Sequence, residues 1–206
     1  MELFALIFQG CLGALDETHI NVLVSSTDKP HYRTHKGQIA TNTLAVCDRN
    51  MQFVFVLPGW EGSAGDSQVL HDAVMQKGGL RVPQRCYYLC DNGYANSNGF
   101  LMLYKGVRYH LKEWGPDALG HLRCASYYPI KTQIRLIMTC FLLHNFIRRE
   151  MPNDPIEAQL DSNVYYTTNI PDVDGVEFVD HSEPSTEWMQ FRDDLANAMW
   201  LHRQRA

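Results

Sequence analysis

The sequence predicts an α/β fold, a sheet flanked by helices, and three observations lead there. Apolar runs rich in β-branched residues recur at 11–24, Thr41–Cys47 and Met51–Leu57. A further short apolar run, Cys86–Cys90 (CYYLC), follows a stretch of helical periodicity. Two later segments, Thr132–Arg149 and Thr186–Leu201, repeat apolar residues at three- and four-residue steps. With 206 residues the chain can bury one sizeable core, or a compact core with appendages.

Met1 to Ala14, MELFALIFQGCLGA, superficially resembles a secretory leader. It contains Glu2 and neither Lys nor Arg, so the basic region of a leader is missing. The apolar run is also too short to span a membrane. It reads as the first core element, with the chain starting inside a fold. Residues 11–24 (CLGALDETHINVLV) read as a strand, a break at an acidic step, and a second apolar run. Asp28 to Gly37 (DKPHYRTHKG) is a polar loop with Lys29, Arg33, Lys36 and two histidines. Asp48-Arg49-Asn50 between two apolar runs signals a hairpin.

Pro58-Gly59-Trp60-Glu61-Gly62-Ser63 breaks the strand pattern and leads to Asp66. A helix is predicted over Ser67–Gln76, with Val69, Leu70, Ala73 and Val74 inward and Ser63 or Asp66 as N-cap. Cys86–Cys90 runs directly into Asp91-Asn92-Gly93-Tyr94, and Gly93 to Gly120 is loop-rich. Thr132–Arg149 is the strongest helix, with Pro129 near its start. Residues 1–150 therefore form the core domain, and 151–206 a polar, acidic tail ending in an amphipathic helix. Trp188, Phe191, Leu195 and Met199 line one stripe of that helix, which either covers the core or meets a partner.

Eighteen Lys and Arg against 23 Asp and Glu give a net charge of −5. That excludes a polycationic coat for nucleic acid or anionic lipid; DNA contact requires a local patch, a metal ion or a basic partner. The six cysteines form no C-x-x-C pair and read as reduced thiols, and the nine histidines show no paired zinc spacing. Lys29 to Lys36 and Arg203 to Arg205 are the densest basic stretches, and both read as solvated charge.

Three aspartates fall where chemistry is possible. Asp16 and Asp91 each close an apolar run, and Asp66 sits between a Gly/Ser-rich turn and a helix. A strand holds a carboxylate rigidly, and two or three converging carboxylates offer hard oxygen ligands to divalent cations. Taken singly, each such aspartate is equally readable as a turn former or cap.

Several blocks, in order, resemble the PIF/Harbinger transposase-derived nucleases of the DDE superfamily, in their plant form. They are CLGALDETHI, YRTHKGQIATNTLAVCD, FVFVLPGWEGSAGDSQVL, YYLCDNGYANSNGF, YHLKEW and YYPIKTQIRLIMTCFLLHNFIRREMP, and the resemblance covers roughly residues 10–155. The resemblance implies an RNase H-like mixed sheet flanked by helices, with acidic residues gathering Mg2+ or Mn2+, and DNA cleavage or strand transfer. It assigns Asp16 and Asp91 as catalytic, and Asp16, Asp66 and Asp91 as metal ligands. His19 and Trp60 match as well, and a hydrogen-bonded histidine and a packed indole account for them equally.

The resemblance also implies absences. The family's third catalytic carboxylate is a Glu on a helix after the H-L-x-E-W loop. Here His110-Leu111-Lys112-Glu113-Trp114 is followed by Gly115–Gly120 and then His121-Leu122-Arg123, so that helix has no counterpart. Glu113 belongs to the preceding loop block, while Glu150 and Glu157 lie beyond the last core helix; the third catalytic Glu is assigned to none. The N-terminal helical region is missing too, so the fold is incomplete. The family's Gly after the first aspartate is Glu17 here, either an exposed strand residue or added charge beside the metal. The implied function is metal-dependent DNA cleavage; the alternative is an inactive transposase remnant serving as a metal- or partner-binding module. DNA, a Myb-like helper protein and a nuclear location are the implied surroundings, with no membrane.

Overall fold

The computed structural model describes residues 9–91, 93–104, 128–151, 177–180 and 182–204. Five strands form one mixed sheet: β1 (Cys11–Asn21), β2 (Ala40–Asp48), β3 (Phe53–Glu61), β4 (Tyr87–Cys90) and β5 (Phe100–Met102). Their order is β3-β2-β1-β4-β5. The hairpin pair β2–β3 is antiparallel, whereas β1–β4 and β4–β5 are parallel. Three helices accompany them: α1 (Asp66–Met75), α2 (Ile130–Glu150) and α3 (Thr186–Arg203). A mixed five-stranded sheet flanked by helices is the α/β architecture that the RNase H-like resemblance implied.

Two compact units divide the chain, the first comprising Met1–Leu15, Asp66–Lys105 and Thr168–Ala206, the second Asp16–Gly65 and Gly106–Thr167. In the first unit, Cys11, Tyr87 and Leu101 form a buried cluster to which Leu89, Trp188 and Leu195 add. Trp188 and Phe191 of α3 meet the Tyr87 ring edge to face, at centroid distances of 6.0 and 5.5 Å. Trp188 and Leu195 of the α3 stripe thus cover the core, whereas Phe191 touches Tyr87 from an exposed position and Met199 of the same stripe is exposed. Arg192 stacks over the Tyr104 ring while the Tyr104 hydroxyl donates to Asp193 at 2.7 Å. That hydrogen bond, with Arg192 assisting, holds the Asp193 carboxyl below its ordinary value. Helix α1 buries Val69, Leu70, Ala73 and Val74, the four residues its periodicity selects. The stretch leading into α3 is tied back by backbone bonds from Val179 to Val82 (2.8 Å) and from Ser185 to Asn96 (2.9 Å).

In the second unit, β2 is buried along most of its length, with Leu44 and Val46 wholly inaccessible. The β2–β3 turn is built on Asp48, whose Oδ1 accepts from the backbone of Asn50 (2.8 Å) and Gln52 (2.9 Å). Helix α2 grips this hairpin. Asn145 accepts from Phe53 N at 2.8 Å and donates to Phe53 O at 2.7 Å, and Arg148 Nε donates to Asn50 O at 3.1 Å. Asn145→Ala should therefore destabilise the second unit by roughly 2 kcal/mol, since it strands both backbone polar groups of one residue, Phe53. Urea unfolding checks this, and a loss below about 0.5 kcal/mol would show that water replaces the amide at no cost.

Four sequence expectations change. The acidic step at Asp16 does not break the strand, because β1 runs through it without interruption. Pro58-Gly59 likewise lies inside β3: the sheet edge tolerates a missing N–H, and Gly59 (φ 103°) takes up a register shift opposite Asn42/Thr43. Gly59 also admits Ile134 of α2, whose Cδ1 lies 3.0 Å from where a Cβ would stand. The loop-rich stretch after Gly93 contains β5, too short to leave a period. Finally, Ser63 is not a cap: its hydroxyl donates to His31 O at 3.1 Å, and the helix starts at Asp66. As expected, Cys11, Cys47, Cys86, Cys90 and Cys140 are thiols; Cys124 lies outside the described residues.

Candidate active site

Parallel pairing of β1 on β4 aligns Ala14 with Leu89 and Leu15 with Cys90. Asp16 and Asp91 are the residues that follow Leu15 and Cys90 in the chain. Asp16 is exposed, and its Oδ1 accepts from the backbone N–H of Glu17 at 2.8 Å. Asp91 is exposed where β4 ends, and its carbonyl accepts from Tyr94 N at 3.4 Å. Asp66 is half-buried at the first residue of α1, where the helix macrodipole favours negative charge.

Within the first unit the structure brings Asp66 to the turn after Asp91. Asp66 Oδ2 occupies the space into which a Cβ on Gly93 would project. With any larger residue there the Asp66 carboxylate would have to turn aside, and the sequence signal for this glycine is the D-x-G-Y block itself. Spacing alone did not mark it.

Glu17 is not the exposed strand residue that the first of its two readings made it. It is half-buried, and Asn42 Nδ2 donates to its Oε2 across to β2. Successive strand residues face opposite sides, so Glu17 leaves the side on which Asp16 stands. His19 Nε2 lies 3.3 Å from Gly62 O, and Trp60 O accepts from Thr41 Oγ1 at 2.8 Å. His19 is thus hydrogen-bonded through its ring, whereas the Trp60 contact is made by its backbone alone. Glu150 closes α2 in an exposed ion pair with Arg149 at 3.1 Å. The segment 105–127, with Glu113 and the junction from Trp114 to His121, lies outside the described residues, as does Glu157.

Asp16, Asp66 and Asp91 offer carboxylate oxygen alone, which suits a hard cation such as Mg2+ or Mn2+ better than a thiolate- or imidazole-loving metal. Among the described residues no group of three or more His, Cys, Asp or Glu side chains is gathered as a ready-made cage. Also among the described residues, no helix is long and apolar enough to cross a membrane.

Comparison with known proteins agrees with this geometry at the level of family. The family described as DDE superfamily endonuclease matches residues 15–118, just over half the chain. The chain is 25% identical to "Protein ALP1-like" of Arabidopsis thaliana over 193 residues, covering 74% of this chain and 48% of that protein. It thus spans about half the length of the curated relative it matches. No solved structure matches. Enzymes of this superfamily generally use divalent metal ions and act on DNA. With the match running from Leu15 through the blocks of Asp16, Asp66 and Asp91, the chain belongs to the DDE superfamily endonucleases.

Proposed function

We propose that this chain is a divalent-metal-dependent DNA nuclease of the Harbinger transposase-derived kind. Asp16, Asp66 and Asp91 are its metal ligands, and Asp16 and Asp91 the catalytic pair. The observation that carries this reading is the Leu15↔Cys90 register, after which Asp16, still in β1, and Asp91, just past the end of β4, come next in the chain. Asp66, set against Gly93 at the following turn, supports a third ligand. When bound, Mg2+ or Mn2+ would activate a water and stabilise the leaving oxygen of a phosphodiester. The chain's own part is positional: β1 fixes the Asp16 backbone, and Gly93 leaves room for the Asp66 carboxylate. In the cell this reading implies a nuclear setting and a Myb-like helper protein that supplies DNA binding or import.

One observation favours a second reading, an inactive remnant that keeps metal or partner binding. The chain has no counterpart of the family's third catalytic Glu, and rigid ion placement supplies most of the rate in phosphoryl transfer. The separating experiment incubates the chain with supercoiled plasmid and Mg2+ or Mn2+, with EDTA as control and Mn2+ binding measured by calorimetry. Nicking that EDTA abolishes is the expected result. Intact plasmid beside a folded, Mn2+-binding sample would establish the remnant.

A further inference from the structure

We propose that the loop from Asp28 to Gly37, which joins β1 to β2, is a contact for the DNA phosphate backbone. The proposal rests on the DNA-directed reading above and names the surface that holds the duplex. A chain of net charge −5 meets DNA through a local cationic patch, a metal ion or a basic partner, and this loop supplies the first of these.

The loop is fixed at both ends. Ser25 Oγ donates to Asp28 Oδ2 at 2.7 Å, and His31 N donates to Asp28 O at 3.0 Å. At the other end Thr34 N donates to Gln38 O at 2.8 Å, Gly37 N to Thr34 O at 2.8 Å, and Gln38 N to Thr34 Oγ1 at 3.2 Å. Ala40 N then donates to Tyr32 O at 2.8 Å, and Gly62 lies so close to both carbonyls that a Cβ there would collide with them. Folding has therefore already ordered this backbone, and binding does not have to.

Its charges are arranged unequally. The two nearby carboxylates are engaged, Asp28 with Ser25 and Glu61 with His31 Nδ1 at 3.2 Å. Lys29, Arg33 and Lys36 are exposed and have no carboxylate partner among the described residues; Arg33 Nη1 reaches only Gly37 O, at 3.5 Å. The loop's stem adds to this surface. Gln133 of α2 accepts from Leu23 N at 3.2 Å and donates to Leu23 O at 2.8 Å, fastening the first turn of α2, with exposed Lys131, beside the loop. Three cations against one carboxylate, with no ion pair between them and carried on a pre-ordered backbone, suit a polyphosphate surface. The sequence alone reads these residues as solvated charge; the hydrogen bonds that order them are the added fact.

The test uses the full chain, a fluorescein-labelled duplex of about 20 base pairs, and EDTA throughout, so that no step depends on metal. Lys29→Ala/Arg33→Ala/Lys36→Ala should weaken binding by at least about tenfold and lower the slope of log affinity against log salt by roughly 2.7. Lys77→Ala/Arg81→Ala/Arg85→Ala removes the same charge from the first unit and should leave both quantities near wild type. Circular dichroism checks that each variant is folded. Equal losses from the two triple variants, an unchanged slope in the loop variant, or no wild-type binding would each overturn the proposal. So would displacement of the duplex by poly-glutamate at matched charge, which would assign the loop to an acidic protein. Loop-dependent binding without nicking overturns only the nuclease reading, and nicking without loop dependence overturns only this one.

Discussion

Asp91→Asn is expected to abolish metal-dependent nicking, and Gly93→Ala, two residues on, to slow it by about 10²-fold while leaving the unfolding midpoint near wild type. The first substitution removes an anionic oxygen and keeps shape, so its effect isolates charge. The second adds one methyl group. Gly93 lies outside the left-handed backbone region, so alanine meets no conformational penalty there. What it meets is Asp66 Oδ2, which must move aside. A displacement of about 1 Å at a ligand is enough to cost two orders of magnitude when catalysis depends on positioning. Initial nicking rates in Mn2+ and calorimetric Mn2+ titration read the two effects. A wild-type rate in Gly93→Ala would remove Asp66 from the site.

Tyr87→Ala should destabilise the protein by about 3–5 kcal/mol, against a typical total of about 5–15 kcal/mol for a domain. Tyr87 is 1% exposed, sits in the parallel strand next to β1, and receives both Trp188 and Phe191 on its ring. Its removal opens a cavity and detaches the apolar stripe of α3 together. Trp188→Ala should share part of that loss, so the double variant should fall short of additivity by about 0.5–1.5 kcal/mol. Urea unfolding of the four proteins provides the cycle. Strict additivity would mean that the ring contacts carry no specific energy.

The elements legible in the sequence were those with a long period or a strong turn. Val69, Leu70, Ala73 and Val74 announced α1, and Asp48-Arg49-Asn50 announced the hairpin that Asp48 then builds with its own side chain. The rest is decided by neighbours in space. Pro58 is compatible with β3 only because that strand is at the sheet edge, which local sequence does not state. Asp16 resembled a break because aspartate is a poor strand former, yet pairing with β4 up to Leu15 carries the strand through. At the candidate site, Asp16, Asp66 and Asp91 were legible by resemblance to family blocks. The dependence of Asp66 on Gly93 was not, because it joins a helix start to a turn 27 residues later.

The first unit draws Cys11 and Trp188 into one cluster, with β4 and β5 supplied from the middle of the chain. On the ribosome this has a definite consequence. Residues 11–15 are made well before α3 and must wait, without that helix to cover them, until it has been translated. Closure over so long a separation is entropically slow, and aggregation competes with it throughout the wait. A stop codon before Trp188 would therefore do more than shorten the protein: it would leave Cys11 of β1 and Tyr87 of β4 permanently without that cover.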